Sequence, residues 1–179
     1  VRFRFPEPMA LANGILFNIT WFLIVTSESA VWAPLLASLH LVVHFALVGG
    51  PLDKVLPELK LVALVTALGA VLDQVLFRIG VFTVGGVIAT APLWMTSLWP
   101  VLATTFMHAF GALQTRWALG VLFGAIGGAL SYTAGTSLTD VDFFDPVMGP
   151  LVLGALWAVL FPLLLALAAR FASCDGAKS

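Results

Sequence analysis

Charge is what this sequence has least of. Aspartate, glutamate, lysine and arginine make up 9% of its 179 residues, hydrophobic residues make up 61%, and the mean hydropathy is +1.08. Soluble domains devote roughly a quarter of their residues to charge, so a water-soluble globule is excluded and a polytopic membrane protein is expected. The few charges are also balanced, eight basic against nine acidic, for a net charge of −1. No basic patch can follow a phosphate backbone, which sets nucleic acid aside as a partner. Cysteine occurs once, as Cys174. A lone thiol gives neither an internal disulfide nor a cysteine-based metal framework.

What the chain does have is apolar runs. Six are long enough to cross a bilayer core as helix, which takes about 20 residues: 9–27, 30–50, 61–84, 92–113, 117–138 and 147–172. Breakers separate them, namely "SES" at 27–29, "GGPLDKVLPELK" at 49–60, "GG" at 85–86 with Pro92, "QTR" at 114–116 and "TDVDFFDP" at 139–146. The fold class predicted is all-α, a single six-helix transmembrane domain whose first partner is the lipid bilayer. Arg2 and Arg4 ahead of the first run suggest a leader, but Asn13 and Asn18 interrupt it and no A-x-A follows. The run is therefore read as the first helix. Arg2, Arg4, Lys54, Lys60, Arg116, Arg170 and Lys178 all fall on one side of this scheme, whereas Glu28, Asp140, Asp142 and Asp145 fall on the other. The positive-inside rule then makes both termini cytoplasmic, with Trp32 and Trp94 at the outer interface and Trp117 at the inner one.

Against this background "LGAVLDQVLFRIGVF" at 68–82 is conspicuous, because it places Asp73, Gln74 and Arg78 in an apolar run. Counted at about 1.5 Å per residue through a core about 30 Å thick, Asp73 lies roughly 12 Å from the outer face and His40 about 15 Å. Asn18, His44 and His108 lie deeper, at about 18, 21 and 24 Å. A charge at such depth costs a few kcal/mol and normally faces the bundle interior. Asp73, His40, His44, His108 and Asn18 are accordingly the candidate ligand-binding polar centre. Asp73 shares its face with Gly69, Ala70 and Gly80, where another helix can approach closely. Arg78 is near enough to the outer end to reach water and pair with Asp140, Asp142 or Asp145, an outer-rim tether that Gln74, one turn away, can support.

"HLVVH" places His40 and His44 on one helical face, and His44 with His108 could take one ion from two helices. The motif lacks the glutamate of a zinc-protease helix, and no further paired histidine completes a ligand set. No metal is therefore expected, no cofactor is indicated, and the histidines read as hydrogen-bonding or proton-passing groups. Gly120, Gly124 and Gly128 recur every four residues, a spacing for tight helix packing. Tyr132 suits either a pocket or the interfacial belt, with the belt preferred.

"APLWMTSLWPVLATTFMHAF" at 91–110, together with "LGAVLDQVLF" at 68–77 and "LGVLFGAIGGALSYTAG" at 119–135, resembles a bacterial family of small inner-membrane proteins known only as a domain of unknown function. The resemblance runs over about two thirds of the chain. It rests on Asp73, Pro92, Trp94, Trp99, Thr104, Gly127, Gly128, Tyr132 and Gly135, and departs at Ala129, where the family carries Pro, so a kink there does not carry over. It implies a multi-pass protein of the bacterial inner membrane and supplies no chemistry.

Three functions of different class fit these residues. The first is a component that binds or transports a small solute or a proton at the polar centre, driven by an ion gradient or an energising partner. The second is a non-catalytic accessory subunit of a larger membrane complex. The third is a membrane-embedded lipid-modifying enzyme, against which stands the lack of a recognisable nucleophile. The depth ordering of the polar residues favours the first.

Overall fold

The computed structural model describes residues 7–176, with side chains described as far as Ser173. Arg2, Arg4, Lys178 and the Cys174 side chain lie outside what is described. The fold is all-α apart from one small strand pair. Helix α1 spans Pro8–Ser27, with proline in its first turn, where its missing N–H breaks no bond. It ends at Glu28, which adopts a left-handed conformation. Helix α2 spans Trp32–Val48; the Ser29 hydroxyl accepts from the N–H groups of Val31 and Trp32 at its start, and Gly49 and Gly50 stop it.

Helix α3 spans Leu52–Arg78, beginning well before the expected 61 and ending before the expected 84. "GGPLDKVLPELK" is thus mostly helix, because Pro57 lies close enough to the start to cost a single backbone bond. The end is a Schellman turn: Gly80 N–H bonds to the Phe77 carbonyl and Val81 N–H to that of Leu76, with Gly80 left-handed. The chain then leaves the helix. Strand β1 (Phe82–Val84) pairs antiparallel with β2 (Val141–Phe143), Thr83 opposite Asp142.

The segment expected as one helix over 92–113 is broken. It forms α4 (Leu93–Thr96) and α5 (Leu98–Ala103), then a run of turns ending in a 3₁₀ turn at Gly111–Leu113. Pro100 withholds one N–H. The Thr104 and Thr105 hydroxyls bond to the carbonyls of Val101 and Leu102, and the backbone from Thr105 to Arg116 bonds mainly three residues back. Helix α6 spans Trp117–Thr136 and α7 spans Met148–Gly176.

Helix α6 packs along α7, α1 along α2, and α3 against α5 and α7. The glycine spacing of α6 serves as expected. A Cβ on Gly124 would collide with the Trp157 carbonyl and Phe161, and one on Gly128 with the Trp157 ring. Large apolar side chains stay exposed on the outward faces, among them Ile15 and Phe22 on α1, Leu39 and Val42 on α2, and Leu163 on α7. In water such faces would drive aggregation, whereas in lipid they are the natural solvent contact.

Candidate functional site

The buried stripe of α3 reads Glu58, Leu61, Val62, Val65, Gly69, Asp73, Leu76, one face at helical spacing with a carboxylate near each end. About 22 Å of helix separates the two acids. They build different sites.

At the start of α3, Glu58 is buried, and the Nε2 atoms of two histidines donate to it: His44 to Oε1 at 2.8 Å, and His108 to Oε1 at 3.1 Å and Oε2 at 3.2 Å. The two rings meet edge to face with centroids 5.1 Å apart. His44 comes from the last turns of α2, and His108 from the irregular run after α5. That run brings the ring to Glu58.

Asn13 on α1 completes this cluster. It is fully buried, and its Nδ2 donates to His44 Nδ1 at 3.2 Å and to Thr104 Oγ1 at 3.3 Å, while Oδ1 accepts from Ala109 N–H at 3.3 Å. His40, one turn before His44, donates from Nε2 to Thr104 Oγ1 at 3.1 Å and accepts at Nδ1 from Thr20 at 3.0 Å. Donor directions fix the tautomers. With Asn13 giving to Nδ1, the His44 proton resides on Nε2 and points at Glu58. The amide gives hydrogen bonds both ways and relays no proton, so the His40 branch and the Glu58 branch are joined but not wired for conduction.

At the far end of α3, Asp73 is fully buried and accepts at Oδ2 from Trp99 Nε1–H at 2.8 Å, while Oδ1 has no hydrogen-bond partner among the described residues. Gly69, one turn back, makes the slot: a Cβ there would fall inside the Trp99 indole. Trp99 stacks on Trp157 at 5.6 Å and 11°. Both indoles, with Phe17, Trp94 and Tyr132, line an apolar cavity of about 190 Å³.

Among the sequence-predicted residues, then, His40, His44 and His108 come together, and six expectations need correction. Asp73 bonds to none of the histidines; its partner is Trp99. Asn18 is exposed and its amide bonds back to the Gly14 carbonyl, because Asn13, five residues earlier, occupies the inward face instead. Arg78 is exposed and pairs with none of the three aspartates. Asp145 instead accepts from the N–H groups of Val147 and Met148, which hold its carboxyl below the usual range, and Asp142 sits in β2. Gln74 supports not Arg78 but the loop before α4, through two bonds of 3.4 Å to the Ala91 backbone. Trp94 is buried and Tyr132 lines the cavity rather than the belt. Glu58 and Asn13 were missed as site residues. With Glu58 the ligand set that looked incomplete gains a carboxylate, and His44, Glu58 and His108 place three donor atoms within 4.8 Å of one another.

Among the described residues four helices, α1, α3, α6 and α7, are long and apolar enough to cross a membrane. An all-α fold with four such helices suggests a membrane protein. The chain belongs to the family described as protein of unknown function DUF2878, which it matches over residues 10–163. No curated protein and no solved structure matches it.

Proposed function

We propose that this is a six-span protein of the bacterial inner membrane, both termini cytoplasmic, whose polar centre at Glu58, His44 and His108 binds a small polar solute in exchange for a proton. α2 and the broken 92–113 segment are the two shorter crossings. Support for the even count comes from the way the chain reversals gather. The turn after α1 reaches the loop before β2 through Asp140 N–H and Glu28 Oε2 at 2.9 Å, and β1 and β2 join the reversal after α3 to the one after α6. Lys54, Lys60, Arg116 and Arg170, all exposed, belong to the other end.

The observation that carries the function is a buried carboxylate on α3 flanked by two imidazoles from different elements. A carboxylate so placed rarely serves packing alone. The interruption at Asn13 favours binding and exchange at the cluster over a proton wire through His40.

The test is proton flux in proteoliposomes holding a trapped pH dye, with a panel of small cations and organic acids added outside. Wild type should couple proton movement to at least one solute, and Glu58→Gln should abolish it while eluting as wild type. Flux equal to that of empty vesicles across the panel overturns the reading. Reporter fusions at both termini check the topology.

A further inference from the structure

We propose that His44, Glu58 and His108 hold a divalent transition-metal ion of the zinc(II) or iron(II) type, bound by the two Nε2 atoms and the Glu58 carboxylate. The inference deepens the function proposed above, since it names the ligand class of that same centre.

The donor chemistry selects the ion. Two imidazoles and one carboxylate are the set that zinc and non-haem iron take, whereas calcium and magnesium require mostly oxygen, and copper(I) prefers sulfur. The spacing agrees. Ligands about 2.0–2.2 Å from a tetrahedral ion lie roughly 3.3–3.5 Å from one another. The nitrogen-to-oxygen separations here are 2.8, 3.1 and 3.2 Å. All the donor atoms, the two nitrogens included, lie within 4.8 Å of one another, so small side-chain adjustments turn the hydrogen-bonded cluster into a coordination shell. Three protein ligands leave a vertex for water or solute, as in reactive rather than structural sites. His108, whose side chain is 19% exposed, is the ligand through which that vertex is reached. The charge argument points the same way: a dication answers a carboxylate that otherwise has only imidazoles for company inside the bundle.

Asn13 gives the proposal a sharper consequence. His44 can bind a metal at Nε2 only with its proton moved to Nδ1, so the Asn13 amide must turn to present Oδ1 to that N–H. A carboxylate in this place would make the carboxylate–histidine–metal arrangement that raises affinity. Asn13→Asp should therefore bind the ion more tightly than wild type, and Asn13→Leu about 10- to 100-fold more weakly. A purely structural amide would lose in both.

The experiment uses the full chain, purified in detergent without a histidine tag, loaded with Zn²⁺ and passed through gel filtration. Wild type and Asp73→Asn should each retain one zinc per chain, and Glu58→Gln and His44→Ala none. X-ray absorption of the loaded wild type, which needs no variant to fold, should give a shell of two imidazoles and one carboxylate. Absence of stoichiometric zinc and iron, a shell containing sulfur or only oxygen, or equal retention by Glu58→Gln overturns the proposal. The two readings fail separately. Solute-coupled proton flux without metal would leave the exchange function and sink the metal site, and metal without flux would do the reverse.

Discussion

Replacing Gly69 by alanine sets two effects of opposite sign against each other at one methyl group. In a helix interior alanine is favoured over glycine by about 1 kcal/mol. At Gly69, however, the new Cβ would fall within the Trp99 indole, whose far face is already covered by Trp157. The ring can only slide. Overpacking of this kind costs about 1–3 kcal/mol. Sliding also removes the 2.8 Å bond to Asp73 Oδ2, the one hydrogen bond that this buried carboxylate accepts among the described residues. Loss of a hydrogen bond to a charged group costs about 1.5–3 kcal/mol. The sum, less the gain in propensity, predicts that Gly69→Ala destabilises by about 1.5–5 kcal/mol.

The assay is thermal unfolding of the detergent-purified protein, followed by tryptophan fluorescence. Gly127→Ala is the control, because nothing lies within 4 Å of a Cβ there; it should be neutral or stabilising by up to about 1 kcal/mol. In a Trp99→Leu background the clash and the hydrogen bond are both gone, so Gly69→Ala should become neutral or better. If Gly69→Ala is as stable as wild type, or costs the same in both backgrounds, the slot argument is wrong.

At Gly124 the obstruction is backbone as well as side chain, since a Cβ meets the Trp157 carbonyl and Phe161. Gly124→Val should therefore separate α6 from α7 and lower the unfolding temperature more than Gly127→Val, measured in the same way. Asp145 accepts two N–H groups at the start of α7, and these hold its carboxyl below the usual aspartate range. A group depressed on folding stabilises above its unfolded value and loses that contribution as pH falls through its folded value. Asp145→Ala should thus be less stable than wild type at neutral pH, and the gap should close as pH drops below about 3.9, the ordinary aspartate value; a gap that persists or widens in acid refutes it.

The segments legible in the sequence were those where apolar composition alone decides, namely α1, α2, α6 and α7, along with the packing ridge of Gly120, Gly124 and Gly128. The candidate site was harder, because composition discounts what a helix start can conceal. Glu58 follows a proline and sits between two lysines in "KVLPELK", a stretch that reads as a solvated loop. Yet the stripe Asp73, Gly69, Val65, Leu61 runs back at helical spacing to Glu58 without a break. That period, continued past Pro57, picks out Glu58. A regular helix through His108 gives the wrong rise, and only the hydroxyl-capped run after α5 accounts for its position beside Glu58. Asn13 and Asn18 differ by five residues, which puts them on different faces of α1, and an uninterrupted apolar surround gives no moment to say which face is inward. In a lipid-embedded helix, inside and outside are equally greasy; it is the polar partner on the next helix, His44 for Asn13, that distinguishes them.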